Sequence, residues 1–194
     1  MNQMGDQLQL VNRHTGEVLR LRRVRDGGNV VLEIEGGVPP RGEGPPLHTH
    51  VNQREEGTVL TGVLSGQVGA RAVTVRAGES AVFPAGVPHR WWNEGENPLT
   101  FRGRVVPAGD IDLFLQGVFA VANAGPNGRP SPFYMAHVLY RHRHTQRIAA
   151  IPRRVQQVAL PAVVFLGWIL GRYRGDSWPG APRSCTGAPE PSSV

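Results

Sequence analysis

Three histidines and one glutamate are the residues whose types and spacing could do chemistry. His48-Thr49-His50 ends an apolar run behind a Gly/Pro-rich loop, residues 42–46. In a strand, residues two apart face the same side, about 6.5–7 Å apart along the chain, so both imidazoles can reach one ion. Glu55 follows His50 across the short polar turn Asn52-Gln53-Arg54 and opens the next strand. His89 comes after a second turn, Phe83-Pro84-Ala85-Gly86-Val87-Pro88. Three imidazoles and a carboxylate form a coherent ligand set for a divalent transition metal. Glu56 is the competing carboxylate, but strand alternation turns it away from the side Glu55 faces. With Cys185 the only cysteine, no sulfur ligand is expected, and Mn, Fe, Ni, Co or Zn all suit nitrogen and oxygen donors. Four protein ligands on an ion with about six positions leave about two open for water, a bidentate substrate or dioxygen. A divalent ion beside one carboxylate keeps a charge of about +1, which favours anionic oxygen donors such as enolates.

Other residues invite the same reading less well. His142-Arg143-His144 repeats the H-x-H pattern, but in a predicted helix, where two residues span about 200° and share no ligand face. It reads as a solvated basic face with Arg141 and Arg147. His14 lies in a predicted turn and reads as exposed. Among the aromatics that could line a pocket, Phe83 and Phe101 read as barrel core. Trp91, on the face of His89, reads as a substrate-binding wall.

The elements that position these residues are short and turn-rich. The 194 residues make one domain plus an extension, and Gly 25 and Pro 17 punctuate the apolar runs. Runs at 8–11, 18–24, 30–38, 47–51, 58–64, 68–75, 80–83, 89–92 and 99–106 predict strands of a sandwich or barrel, a jelly roll in form. After Pro107 the spacing turns helical: Asp110 to Ala124, then a helix opened by Ser131-Pro132 and running to about Ala149, then one from about Val155 to Tyr173. The expected organisation is a β-domain over 7–107, a helical extension over 108–173 and a disordered tail over 174–194.

Composition removes several classes. Hydrophobic residues are 40% and charged residues 19%, so a disordered or fibrous chain is not indicated, and one cysteine excludes a disulfide framework. All 21 basic residues are arginine, and the net charge is +6. Residues 1–107 carry 12 Arg against 11 acids, whereas 108–194 carry 9 against 4. No aromatic-and-basic stripe or DNA-reading motif accompanies this basic half, so no nucleic-acid partner is expected. The start, Met1-Asn2-Gln3-Met4-Gly5-Asp6, lacks basic and apolar signal regions, and a cytoplasmic location is expected. The apolar run 158–170 is 13 residues long, short of the roughly 18 that span a bilayer, and contains Pro161. Arg153, Arg154, Arg172 and Arg174 flank it, which would suit an interfacial helix, but packing on the barrel or a second subunit is the expectation, without membrane association.

The spacing carries a resemblance. Gly42, five residues, His48, one, His50, four, Glu55, six, Gly62 matches the first motif of the cupin superfamily. Gly78, five residues, Pro84, one, Gly86, two, His89, three, Asn93 matches the second. The chain resembles a single-domain bacterial cupin with quercetin-dioxygenase-like and germin-like motifs. The resemblance implies a jelly-roll β-barrel, one divalent metal on His48, His50, Glu55 and His89, and a homodimer. It also implies a metal-dependent oxygenase acting on a small enolic or phenolic compound. In those dioxygenases the glutamate matching Glu55 is the catalytic base. Cupins also include non-oxidative cyclases, isomerases and lyases, and non-catalytic metal- or ligand-binding modules, so these readings stand beside the first.

Overall fold

Alternation of apolar and polar residues sets the architecture. The computed structural model describes residues 2–3, 7–174 and 178–179, so the expected disordered tail lies almost wholly outside the described residues. The strands are β1 Asn2–Gln3, β2 Leu8–Val11, β3 Val18–Asp26, β4 Asn29–Val38, β5 His48–His50, β6 Arg54–Thr61, β7 Val63–Val68, β8 Arg71–Arg76, β9 Ser80–Phe83, β10 His89–Trp92, β11 Leu99–Val106 and β12 Gln146–Ile148. Three α-helices follow the main run of strands: α1 Ile111–Ala124, α2 Pro132–Arg141 and α3 Arg153–Ile169. The strands pair antiparallel in two sheets, one ordered β1-β3-β4-β11-β6-β9 with β2 on β3, the other β12-β5-β10-β7-β8. This is a jelly roll.

On β11, Leu99, Phe101 and Val105 face inward, while Arg102 and Arg104 face out. The inner faces of both sheets share one apolar core, which also takes Ile111 and Phe119 of α1. On the outer face of the larger sheet, arginines and acids match in pairs: Arg22 with Glu33, Arg104 with Asp26 and Arg54 with Glu56.

Several predicted boundaries move, each for a tertiary reason. The run 58–64 is divided at Gly62, where the chain leaves β6 in one sheet for β7 in the other. The run 68–75 is divided by the β7–β8 hairpin at Gly69-Ala70. The helix expected to reach Ala149 ends at Arg141. There His142 and Thr145 turn to the carboxylate of Asp110, at 2.6 and 2.5 Å, and residues 146–148 become β12 on the edge of β5. An edge strand left unpaired exposes its backbone donors and acceptors, and β12 covers this one. Pro161 does not end α3. The helix runs through it, because proline removes one backbone donor and the turns on either side keep theirs.

Phe101 lies across the sheet from Gly36, its Cα partner on β4. A Cβ at Gly36 would stand 2.1 Å from Cζ of the ring, so only glycine permits this packing. Gly36→Ala is expected to destabilise the fold by about 1–3 kcal/mol in denaturant unfolding. In the Gly36→Ala/Phe101→Leu double variant the loss should be smaller than the sum of the two singles, because the smaller side chain removes the collision.

Candidate metal centre

Two neighbouring strands and a turn bring the histidines together. His48 and His89 are direct cross-strand partners on β5 and β10, and their ring centroids are 4.4 Å apart. His50 lies two residues on, on the same face of β5. The turn before β10 closes with Val87 N–H donating to Pro84 O, and Gly86 sits there at φ +75°, the left-handed region a type II turn needs at its third residue. Gly86 N–H also donates to the carbonyl of His50, tying the turn to the histidine strand at 2.8 Å. Asn93 follows β10 as a buried clamp. Its amide nitrogen reaches the carbonyls of Pro39 and Asn97, both at 2.9 Å, and its backbone N–H donates to Gly42 O.

The four side chains meet at one point. His50 Nε2 is 2.8 Å from Glu55 Oε2 and 3.3 Å from His48 Nε2, and His89 Nε2 is 3.6 Å from Glu55 Oε2. All four donor atoms lie within 4.8 Å of one another. With metal–nitrogen bonds of about 2 Å, donors around one ion stand at such separations. Glu56 points to the opposite side, paired with Arg54 at 2.7 Å.

Proton placement favours a cation. His48 Nδ1 donates to Pro46 O and His89 Nδ1 to Val87 O, both at 2.9 Å. Each ring therefore carries its proton on Nδ1 and turns the Nε2 lone pair inward, as a metal ligand must. His89 Nε2 is fully buried and has no hydrogen-bond partner among the described residues. An ion would supply the missing partner. Burial, and then the nearby His89 and His50, push the His48 imidazole down to about 4, so it is neutral at ordinary pH. Burial acts to raise the Glu55 carboxyl, but the hydrogen bond from His50 and the nearby imidazoles outweigh it and hold the group below the usual carboxylate range. The site thus keeps an anionic oxygen among neutral nitrogens.

The strand β12 adds a residue that the sequence analysis does not single out. Gln146, buried, places its amide nitrogen 2.7 Å from His50 Nδ1, across 96 residues of chain. In this arrangement His50 carries its proton on Nε2 and gives it to Glu55. An ion held by Nε2 would require that proton on Nδ1, where Oε1 of Gln146, with the amide turned over, would be its acceptor. That oxygen has no hydrogen-bond partner among the described residues. No short-range signal marks Gln146, because its role depends on β12 reaching β5.

His142 also departs from expectation. It is 4% exposed, not solvated, and locks α2 to Asp110. It lies outside the metal-ligand cluster, as does His144. Phe83 is core, against the His89 ring at 4.9 Å. Phe101, expected as core alone, also lines a cavity with Trp91. This cavity, of about 460 Å³, has His48, His50 and Glu55 in its wall and is bounded on the far side by α1 and α2. Glu17, a half-buried residue of the same wall, has its carboxyl pushed up to about 7 by burial.

Comparison with known proteins defines the class. The cupin-domain family model matches residues 34–106, the span holding all four residues of the cluster. Residues 34–106 are thus a cupin domain. Among solved structures it is similar to a sugar phosphate isomerase of the cupin superfamily from Silicibacter pomeroyi, with 24% identity over 45% of this chain and 58% of that one, TM-score 0.39. It is similar also to KdgF from a Halomonas species, at 14% identity over 48% and 83% of the two chains, TM-score 0.40. A cupin domain from Schizosaccharomyces pombe shares 14% identity over 57% and 72%, TM-score 0.41. No curated protein sequence matches the chain.

Two outcomes are expected. Gln146→Leu should weaken divalent metal binding about 10- to 100-fold in a competition titration, while Gln146→Glu, an acceptor for the Nδ1 proton, should not. In the metal-free chain, His48 takes a proton near pH 4 when folded but near 6.5 when unfolded. Between those values the unfolded state binds more protons, so stability should fall as the pH is lowered through that window. Urea titrations of the metal-free protein should show this slope, and His48→Asn should flatten it.

Proposed function

We propose that this chain is a metal-dependent cupin enzyme, an oxygenase that uses dioxygen on a small, largely apolar enolic or phenolic compound. The observation that carries the reading is the lining of the cavity. The donor cluster opens onto walls formed by Trp91, Phe101, Phe114, Phe119 and Met135. Apart from Glu55, Glu17 and Arg147 are the only acidic or basic residues besides the histidines among the described lining residues. A polyanionic substrate needs several cationic partners, and this wall offers one arginine. An aromatic or diketone-like body with one or two chelating oxygens suits it better. The ligands are His48, His50, Glu55 and His89, and the ion is one of Mn, Fe, Ni, Co or Zn.

A bound divalent ion supplies Lewis acidity to an enolate oxygen and open positions for a second oxygen donor or dioxygen. The chain's own residues do the rest. Glu55, ionised, accepts the proton of the substrate hydroxyl, as a carboxylate held beside it can. Trp91 and Phe101 meet edge to face, centroids 5.0 Å apart, and present ring surface that holds an apolar substrate and excludes water. Glu17, near half-protonation at neutral pH, can donate to a substrate oxygen on the cavity wall. The homodimer and the cytoplasmic location implied at the level of sequence belong to this same reading.

Elemental analysis of protein purified without chelator, followed by oxygen uptake with flavonols and diketones, tests it. Glu55→Gln should retain metal on three imidazoles with weaker affinity, while turnover falls by roughly 10²–10⁴-fold. His48→Ala should lose metal and activity together. Turnover without oxygen consumption would instead make the protein a Lewis-acid cyclase, isomerase or lyase, and tight ligand binding without turnover a binding module.

A further inference from the structure

Among the described residues, the outer face of α3 has no partner. The helix packs on α2, and Leu160, Val163, Val164 and Gly167 are among its covered positions. Its opposite side is also apolar and lies in solvent: Val158 is 72% exposed, Phe165 61% and Trp168 69%, with Val155 and Ile169 beside them. Residues 155, 158, 162, 165, 166 and 169 fall at helical spacing on one stripe. The expected packing on the barrel is therefore not what covers this face.

Charge identifies what does. Residues 113–175 contain eight arginines and no aspartate or glutamate. Four of these arginines, Arg153, Arg154, Arg172 and Arg174, stand exposed at the two ends of α3. Among the described residues none of the eight is ion-paired, whereas Arg22, Arg54 and Arg104 of the larger sheet are matched to acids. A second copy docked by symmetry on this face would set two uncompensated basic surfaces against each other. An anionic lipid surface answers both properties, with acyl chains under the apolar stripe, headgroups against the arginines, and tryptophan at the boundary. No described helix is long and apolar enough to cross a bilayer, so the contact is with one leaflet. We propose that α3 is an interfacial helix that docks the protein on an anionic membrane surface, its apolar stripe inserted and its terminal arginines on the headgroups.

The test uses the full chain and vesicles of phosphatidylcholine, with or without phosphatidylglycerol. The protein should sediment with the phosphatidylglycerol vesicles, and far less with pure phosphatidylcholine. Added salt should weaken the binding. Phe165→Glu should lower vesicle partitioning by at least about 10-fold, from the lost apolar burial alone. Arg153→Gln/Arg154→Gln should lower it by about 5-fold per arginine. Both changes are at exposed positions, and unchanged metal content and melting would show that the fold is retained. Equal binding to both vesicle types, no binding, or binding indifferent to Phe165→Glu would overturn the proposal. So would a dimer, seen by light scattering without lipid, that Phe165→Glu dissociates, since the face would then be a protein interface.

Discussion

A largely buried carboxylate surrounded by three inward-facing imidazole nitrogens is the arrangement on which the rest of this structure depends. Such a group is unfavourable in an apolar wall unless a positive charge shares the space. Here the carbonyls of Pro46 and Val87 take the outer protons of His48 and His89, which commits their inner nitrogens to being acceptors. Glu55 already uses Oε2 toward two of the rings. The cluster therefore has more acceptors than donors, an imbalance that a divalent cation would resolve. The pairing of His48 with His89, the turn at Gly86 and the clamp at Asn93 all hold this geometry.

The C-terminal region belongs to the site as much as to the periphery. Through β12 it covers the edge of the strand bearing two of the histidines and delivers Gln146 to one of them. Through α1 and α2 it closes the cavity onto which the cluster opens. The junction is polar and specific: Asp110, at the start of α1, receives both His142 and Thr145, and Arg23 of the barrel pairs with Asp112. A barrel cut at Pro107 would retain the four donor residues but lose one wall of the cavity and the residue that orients His50.

The two halves of the chain treat charge differently. In the larger sheet Arg22, Arg54 and Arg104 are neutralised by acids of the same sheet, so that surface is charged but largely balanced. In the helical region eight arginines fall in a stretch, residues 113–175, without aspartate or glutamate. The same helices turn one side to an apolar cavity or core and, in α3, another to solvent. An apolar stripe with exposed arginines at both ends is a different surface from that of the barrel.

Much of the centre was legible in residue order because strand geometry is local. A period of two places His48 with His50 and separates Glu55 from Glu56, and the bounds of β9, β10 and β11 follow from alternation between turn residues. The cupin motifs add the order in which these pieces recur. What residue order did not contain was any interaction closed over a long stretch of chain. Nothing near His142 shows that its proton goes to Asp110, 32 residues away, and so nothing local stops α2 at Arg141. Gln146 looks like any polar residue until β12 meets β5. Phe101 reads as core until the cavity forms beside it. An apolar run such as that in α3 shows amphipathic or all-round character, but only packing decides which side is covered, because burial is a property of neighbours and not of the helix itself.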